Sequence, residues 1–405
     1  MNVRTGDHMF VKQLNKTIVL NTLRRHSPIS RAEIAKITGL NKSTVSALVD
    51  ELLNEHLARE IGPGASQGGR RPQLLVLNTR AGVVVGAEIG VNYLTVIIQD
   101  LLGQPIWQHR AGLRDPHNPE TTLGQLADTI RQGLQHVPET PLGLMGIGLG
   151  IPGLVDYEHG RLLFAPNLRW EDVDVRAWFQ ERFEAPVKVD NEANAGALAE
   201  HWSGAGAGLQ NVVYFSLGIG IGAGIIIQGE LYRGHGGLAG ELGHTTIDMS
   251  GPLCSCGSRG CLEAMASEAA LRRYFTAHPA YTAPIPEPEP GPDHPAPFIE
   301  GIVQAAKEGN GAAIAALRDV GRYLGIGIAN AINTFNPQRV IIGGPLALGG
   351  DNLLNPARQV VRERALAAPR EQAEITLSAH GPDACAIGAG VLILEDLYRL
   401  PAVVL

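Results

Sequence analysis

At 405 residues, 44% hydrophobic and 18% charged, the chain is too long for one ordinary core and has the texture of a folded soluble protein, not a disordered one. No apolar run is long enough to span a bilayer, the stretch MNVRTGDHMFVKQLN lacks an apolar signal core, and four cysteines are too few for a disulfide framework, so a cytoplasmic protein is expected. The net charge of −7 is uneven: through Arg80 twelve Lys/Arg face six Asp/Glu, a head of +6 on a body of −13, which directs the head alone toward a polyanion.

In the head, Leu14, Ile18, Val19 and Leu23 recur at helical spacing between Lys12 and Arg25, and Pro28 ends the pattern. SRAEIAKITGL then opens with Ser30 and Glu33 spaced as a capping box and closes on Gly39. Asn41 caps a third helix, NKSTVSALVDELLNEH, whose stripe of Val45, Leu48, Val49 and Leu52 faces inward. Two short helices joined by a Gly-containing turn predict a helix-turn-helix, with Lys42, Ser43, Thr44 and Ser46 presented to the major groove of double-stranded DNA. LAREIGPGASQGGRRPQLLVLN reads as the strand, tip and strand of a wing, and Arg70 and Arg71 at its tip suit a narrow minor groove.

From about residue 83 the texture changes to two successive sets of apolar strand runs with Gly-rich turns, each followed by helix. This is the pattern of an α/β protein with two related lobes and a cleft between them. In VKVDNEANAGALAEHW, Asp190, Asn191, Glu192 and Asn194 crowd a strand-to-helix junction, where polar groups face the cleft of such a fold. The stretch 276–300, with eight prolines, reads as a surface excursion inserted between helical segments.

Three of the four cysteines lie in HTTIDMSGPLCSCGSRGCLE. Cys254, Cys256 and Cys261 with His244 offer three thiolates and an imidazole, the donor set of a closed structural Zn²⁺ site, while Cys385 stands alone as a core thiol. The alternative for the cluster is small buried hydrophobes beside a core histidine. Fixing this loop would fix Glu241 and Glu263, which either hold the hydroxyls of a polyol or are surface acids beside a metal loop.

With these residues assembled, LGIGIGAGIIIQGELYRGHGGLAGELGH, CSCGSRGCLE, GIPGLVD and DNEANAGALAE resemble the ROK family of repressors, open reading frames and sugar kinases. The winged head and GGRRP are similar to its repressor branch. The resemblance implies a winged helix-turn-helix over 1–80 followed by a two-lobed actin-like, ribonuclease-H-like α/β fold. Its first lobe would cover 81–190 with the C-terminal helix 385–405 packing back. The second would cover 191–384, with the zinc loop 244–263 and the Pro-rich excursion 276–300. It also implies structural zinc on His244, Cys254, Cys256 and Cys261, and a sugar site of Asn167, Asn191, Glu192, Glu241, His244 and Glu263.

The family's kinases carry Asp-x-Gly-Gly-Thr and Leu-Gly-Thr-Gly phosphate turns. Here Glu88, Val91, Asn92 and Ile219 stand at the departures, and a β-branched side chain obstructs close backbone approach to phosphate. Glu192 stands where the kinases have their general-base Asp. The expectation is a repressor without catalytic residues, a homodimer or homotetramer on operator DNA, released by an aldose of xylose or glucose type. The alternatives are an active sugar kinase bearing a DNA-binding head, and an activator or a repressor released by a partner protein instead of a sugar. The acidic, amide-rich polar set favours an unphosphorylated sugar unless Arg161, Arg169 or Arg233 folds into the cleft.

Overall fold

A computed structural model of the chain describes residues 8–64, 71–289, 291 and 294–401. The head is α1 (His8–His26), β1 (Ile29–Ser30), α2 (Arg31–Thr38), α3 (Lys42–Asn54), β2 (Ala58–Pro63) and β3 (Gln73–Leu77), the strands ordered β1-β3-β2. The capping box forms: Ser30 Oγ accepts from the Glu33 N–H and Glu33 Oε2 from the Ser30 N–H. Gly39 closes α2 at φ 72°, and Asn41 Oδ1 accepts from the Thr44 N–H at 2.7 Å to open α3. The stripe of α3 is buried as expected; in α1 the buried face centres on Thr17, Val19, Leu20 and Leu23, with Leu14 and Ile18 at its margin.

The first lobe holds β4 (Val83–Ile89), β5 (Tyr93–Gln99), β6 (Pro105–Gly112), α4 (Pro119–His136) and β7 (Leu144–Ile151). A small antiparallel sheet follows, β8 (Leu154–Asp156), β9 (Arg161–Ala165) and β10 (Trp170–Val173), then α5 (Val175–Gln180) and β11 (Val187–Asn191). After α6 (Glu192–Ser203) the second lobe begins with β12 (Val212–Leu217), β13 (Ile221–Ile227) and β14 (Glu230–Leu231). It continues with α7 (Leu262–Ala266), α8 (Glu268–Ala277), α9 (Pro297–Lys307), α10 (Gly311–Phe335) and β15 (Arg339–Gly343), and closes with α11 (Asp351–Arg364), α12 (Ala367–Gln372), β16 (Glu374–Leu377) and α13 (Ala384–Tyr398).

The two five-stranded sheets, β11-β7-β4-β5-β6 and β14-β13-β12-β15-β16, repeat one topology: three antiparallel strands extended by two parallel ones. This duplication is the two-lobed, actin-like arrangement. Between the sheets lie α6 and α13, packed closely enough that a Cβ on Gly388 would sit 1.7 Å from the Ala195 carbonyl oxygen. Ala197, Leu198, Val212, Tyr214, Ile341, Ile387 and Val391 form the apolar layer there.

The head shares a core with the body. Val19, Leu20 and Leu23 of α1 pack with Val84, Leu101, Ile393, Leu394 and Tyr398. The Arg24 guanidinium lies 3.4 Å from the Trp202 ring centroid and 4.6 Å from that of Tyr398, a cation–π stack, and burial pushes its pKa down to about 10. Asn21 Nδ2 donates to the Tyr398 carbonyl at 2.8 Å. Among the described residues no helix is long and apolar enough to cross a membrane.

Candidate functional site

A cavity of about 490 Å³ opens between the lobes, at the C-terminal ends of β4, β7 and β11. Ligand sites of open α/β sheets lie at such strand ends because the turns there point side chains and backbone N–H groups into one crevice. Asn167, Asn191, Glu192, Glu241, His244 and Glu263, drawn from four separate segments, all line it. Asp190 does not. It is buried beneath the cleft, accepting from Arg233 at 2.6 Å and from Asn194 Nδ2 at 2.9 Å, so of the crowded junction only Asn191, Glu192 and Asn194 reach the wall.

Asn191 is the N-cap of α6: its Oδ1 accepts from the Ala193 N–H at 2.8 Å, and its Nδ2 donates to the Gly153 carbonyl at 3.0 Å and to Glu192 Oε2 at 2.6 Å. The asparagine therefore positions the glutamate. Burial raises the Glu192 pKa to about 8, with the carboxylates of Glu88, Glu241 and Glu263 adding to the shift. Burial also raises Glu241, opposed by His244. Glu263 has both oxygens engaged: Oε2 accepts from the Ile221 N–H at 3.1 Å and Oε1 from the Ser255 hydroxyl at 3.2 Å. It ties the 254–263 loop to the β12–β13 turn, where Ile219 also faces the cavity.

Neither arginine nor lysine lines the cavity among the described residues. Arg161 pairs with Asp172 and Arg233 with Asp190, and Arg169 is exposed outside the lining. The proline-rich stretch is not simply an excursion: Pro295 and Ala296 form part of the cavity wall, and the Pro286 carbonyl oxygen lies 2.6 Å from where a Cβ on Gly301 would stand. Composition concealed this, because the packing partners are distant in sequence.

His244, Cys254, Cys256 and Cys261 converge, their ligand atoms all within 4.8 Å of one another. A tetrahedral ion with bonds of about 2.3 Å to sulfur and about 2.0–2.1 Å to nitrogen sets the sulfurs about 3.8 Å apart and sulfur and nitrogen about 3.6 Å apart. Cys256 Sγ and Cys261 Sγ are 3.7 Å apart, and Cys254 Sγ and His244 Nδ1 3.6 Å. Two of the spacings are those of a tetrahedral site, and the whole set is close enough that it could hold a metal. A Cβ on Gly260 would lie 1.5 Å from the Asp248 carbonyl oxygen, so only glycine lets the loop close. His244 turns Nδ1 to the thiols and Nε2 toward Glu241 Oε2, 3.9 Å away. Cys385 is buried against Ala195 and Ala389, away from this cluster.

Residues 84–396 match the ROK family, and residues 16–58 match a winged helix-turn-helix DNA-binding family. The chain belongs to the ROK family. This ROK chain is 40% identical over 402 residues to the xylose repressor of Caldicellulosiruptor bescii, covering 98% of this chain and 99% of that one. A solved ROK transcriptional regulator, described as a homologue of an Escherichia coli MLC protein, superposes with a TM-score of 0.81 at 30% identity over 97% of both chains. A ROK glucokinase from Streptomyces griseus, solved with glucose and AMPPNP, superposes with a TM-score of 0.66 at 29% identity, over 77% of this chain and 99% of that one. The uncovered part of the ROK chain is of the size of its winged head.

On that head Lys42 and Ser43 are exposed at the start of α3, and Thr44 and Ser46 half-buried. The Ser46 hydroxyl accepts from Arg31 Nη1 at 2.9 Å, and Arg31 also pairs with Asp50 at 2.8 Å, so this serine is held in place by α2. Arg71 is exposed beside the wing; Arg70 lies outside the described residues. Sequence reasoning overlooked Tyr93, which follows the first turn and whose hydroxyl donates to Glu88 Oε1 at 2.7 Å. Its signal was an aromatic residue opening a strand at the cleft.

Proposed function

We propose that the protein is a sugar-responsive transcriptional repressor whose inducer is an unphosphorylated aldose of xylose or glucose type. What carries the reading is the whole-length likeness to xylose repressors, head included, together with a cleft lined by glutamates and amides and by no cationic side chain among the described residues. A sugar phosphate would meet Glu88, Glu192, Glu241 and Glu263 with nothing to neutralise it. Hydroxyls instead find acceptors.

In this reading the winged heads of a homodimer or homotetramer grip half-sites of cytoplasmic operator DNA about one helical turn apart. Lys42, Ser43, Thr44 and Ser46 face the major groove, and Arg70 and Arg71 the minor groove. Asn167, Glu192, Glu241 and His244 contact the sugar, while Asn191 and Glu263 hold the walls. His244, Cys254, Cys256 and Cys261 hold a structural Zn²⁺. The metal supplies rigidity to the loop carrying Glu241 and Glu263, not an open coordination position. The sugar must prefer one lobe arrangement over the other, or it switches nothing.

Phosphoryl transfer is not expected, because Glu88, Val91, Asn92 and Ile219 replace the residues that cradle phosphates and metal. The kinship to glucokinase and the carboxylate of Glu192 favour the rival, a kinase with an inherited head. One experiment separates them: operator gel shifts titrated with D-xylose and D-glucose, alongside Mg-ATP turnover with the same sugars. Release of DNA without ADP formation is the expected result. ADP formed at enzymatic rates, or DNA retained at saturating concentrations of every sugar, would reject the reading.

A further inference from the structure

The turn that joins β4 to β5 stands where ROK kinases keep a phosphate-binding turn, and here it carries two buried acceptors. A phosphate cradle offers N–H donors. In this chain the Gly90 N–H is consumed by the Tyr93 carbonyl at 2.8 Å, and a Cβ on Gly90 would stand 2.4 Å from the Tyr93 ring. The ring therefore covers the Gly90 backbone. The turn also presents acceptors. Glu88 Oε1 is held by the Tyr93 hydroxyl, while Glu88 Oε2 and Asn92 Oδ1 are both buried without a hydrogen-bond partner. Both residues line the cavity, and Glu88 is only 6% exposed. A buried acceptor left without a partner is costly, so two on one turn, both on a ligand cavity, mark a place built for a donor.

We infer that Glu88 and Asn92 form a hydroxyl-binding subsite at the former phosphate end of the cleft, taking neutral O–H donors of the inducer, with Tyr93 as the residue that positions Glu88. The inference rests on the sugar-site reading and extends it: the residues that end phosphoryl transfer also complete recognition of an uncharged ligand. A phosphate dianion does not suit these two acceptors, since its oxygens bring them no protons.

The test is calorimetric titration of D-xylose and D-glucose into wild type, Glu88→Gln and Asn92→Ala, with melting curves to verify folding. Glu88→Gln keeps the shape and the bond to Tyr93 but places an amide donor where Oε2 accepts. It should weaken binding of the inducing sugar about tenfold, and Asn92→Ala several-fold, the size expected for one lost hydrogen bond. In a panel of monodeoxy sugars, one analogue should bind wild type and Glu88→Gln alike, naming the hydroxyl that Glu88 accepts. Equal affinity of wild type and both variants for the same sugar would overturn the subsite and leave the sugar site standing. Heat from Mg²⁺ alone in wild type that Glu88→Gln loses would overturn it in favour of a cation site. No heat from either sugar in wild type would overturn the sugar-site reading itself, and this inference with it.

Discussion

Glu192 illustrates how one buried carboxyl couples function to stability. Its unfolded pKa is 4.5 and burial raises the folded value to about 8. Below pH 4.5 both states are protonated and the group is neutral with respect to folding. As pH rises toward 8 the unfolded chain releases the proton while the folded one keeps it, so the carboxyl destabilises the fold progressively across that window. Glu88, raised to about 7 by burial against the opposing hydrogen bond of Tyr93, acts in the same direction over a narrower range. Glu192→Gln should therefore melt higher than wild type, by an increment that is small at pH 5 and grows to pH 8, while losing its sugar response. Melting curves at pH 5, 6, 7 and 8 check this; an increment that shrinks with pH would contradict the burial argument. The polar junction that carries Glu192 was legible in the sequence because four polar residues at a strand-to-helix transition exceed what a cap requires. The sequence could not separate their roles, since Asp190 is turned away by an arginine 43 residues downstream.

At the scale of elements, three pieces carry distinct loads. If His244, Cys254, Cys256 and Cys261 hold a metal as proposed, Cys256→Ser should lose it by elemental analysis and weaken sugar binding. Retained induction in a metal-free variant would disconnect the loop from the cleft. The wing is an electrostatic element: Arg70→Ala with Arg71→Ala should flatten the slope of log affinity against log salt by about two, one for each lost phosphate-region contact. An unchanged slope would place the wing away from DNA. The α6–α13 contact depends on a missing side chain, because any Cβ on Gly388 meets the Ala195 carbonyl. Gly388→Ala should cost about 1–3 kcal/mol, the usual cost of overpacking, read as a lower denaturation midpoint. Cap and stop residues made the head's helices predictable, since Ser30, Glu33, Gly39 and Asn41 act on neighbours within four residues. The α6–α13 contact was hidden because its partners are almost 200 residues apart.

Across the whole molecule, α6 and α13 link cleft to head. The N-terminal end of α6 carries Glu192 into the cavity, and Trp202 near its other end stacks on Arg24 of α1. Glu200, fully buried, accepts from the Ser378 hydroxyl and the Ala379 and His380 N–H groups, fastening α6 to the loop that enters α13. Tyr398 at the end of α13 meets the same Arg24. These contacts seat the head on both helices. Arg24→Ala should leave sugar affinity measured without DNA near the wild-type value, yet reduce the ratio of operator affinities without and with saturating sugar. Couplings of this kind span about 5- to 150-fold; a ratio equal to wild type would show that Arg24 carries none of it.

The sequence by itself determined what short-range chemistry controls: the winged head from its caps and stripe, the duplicated strand pattern of the lobes, and a loop whose four candidate metal donors lie within 18 residues. Family likeness read from motifs placed six residues on the cleft wall, all six of which line it. Only the tertiary structure decided what depends on distant partners meeting. The proline-rich stretch became a cavity wall, the candidate arginines were taken up by Asp172 and Asp190, and the head was seated on the last helix of the chain. It also showed Glu88 to be a buried carboxyl with one oxygen left without a hydrogen-bond partner. Periodicity reports which face of an element is apolar, but not which surface will cover it, and that pairing is where the coupling resides.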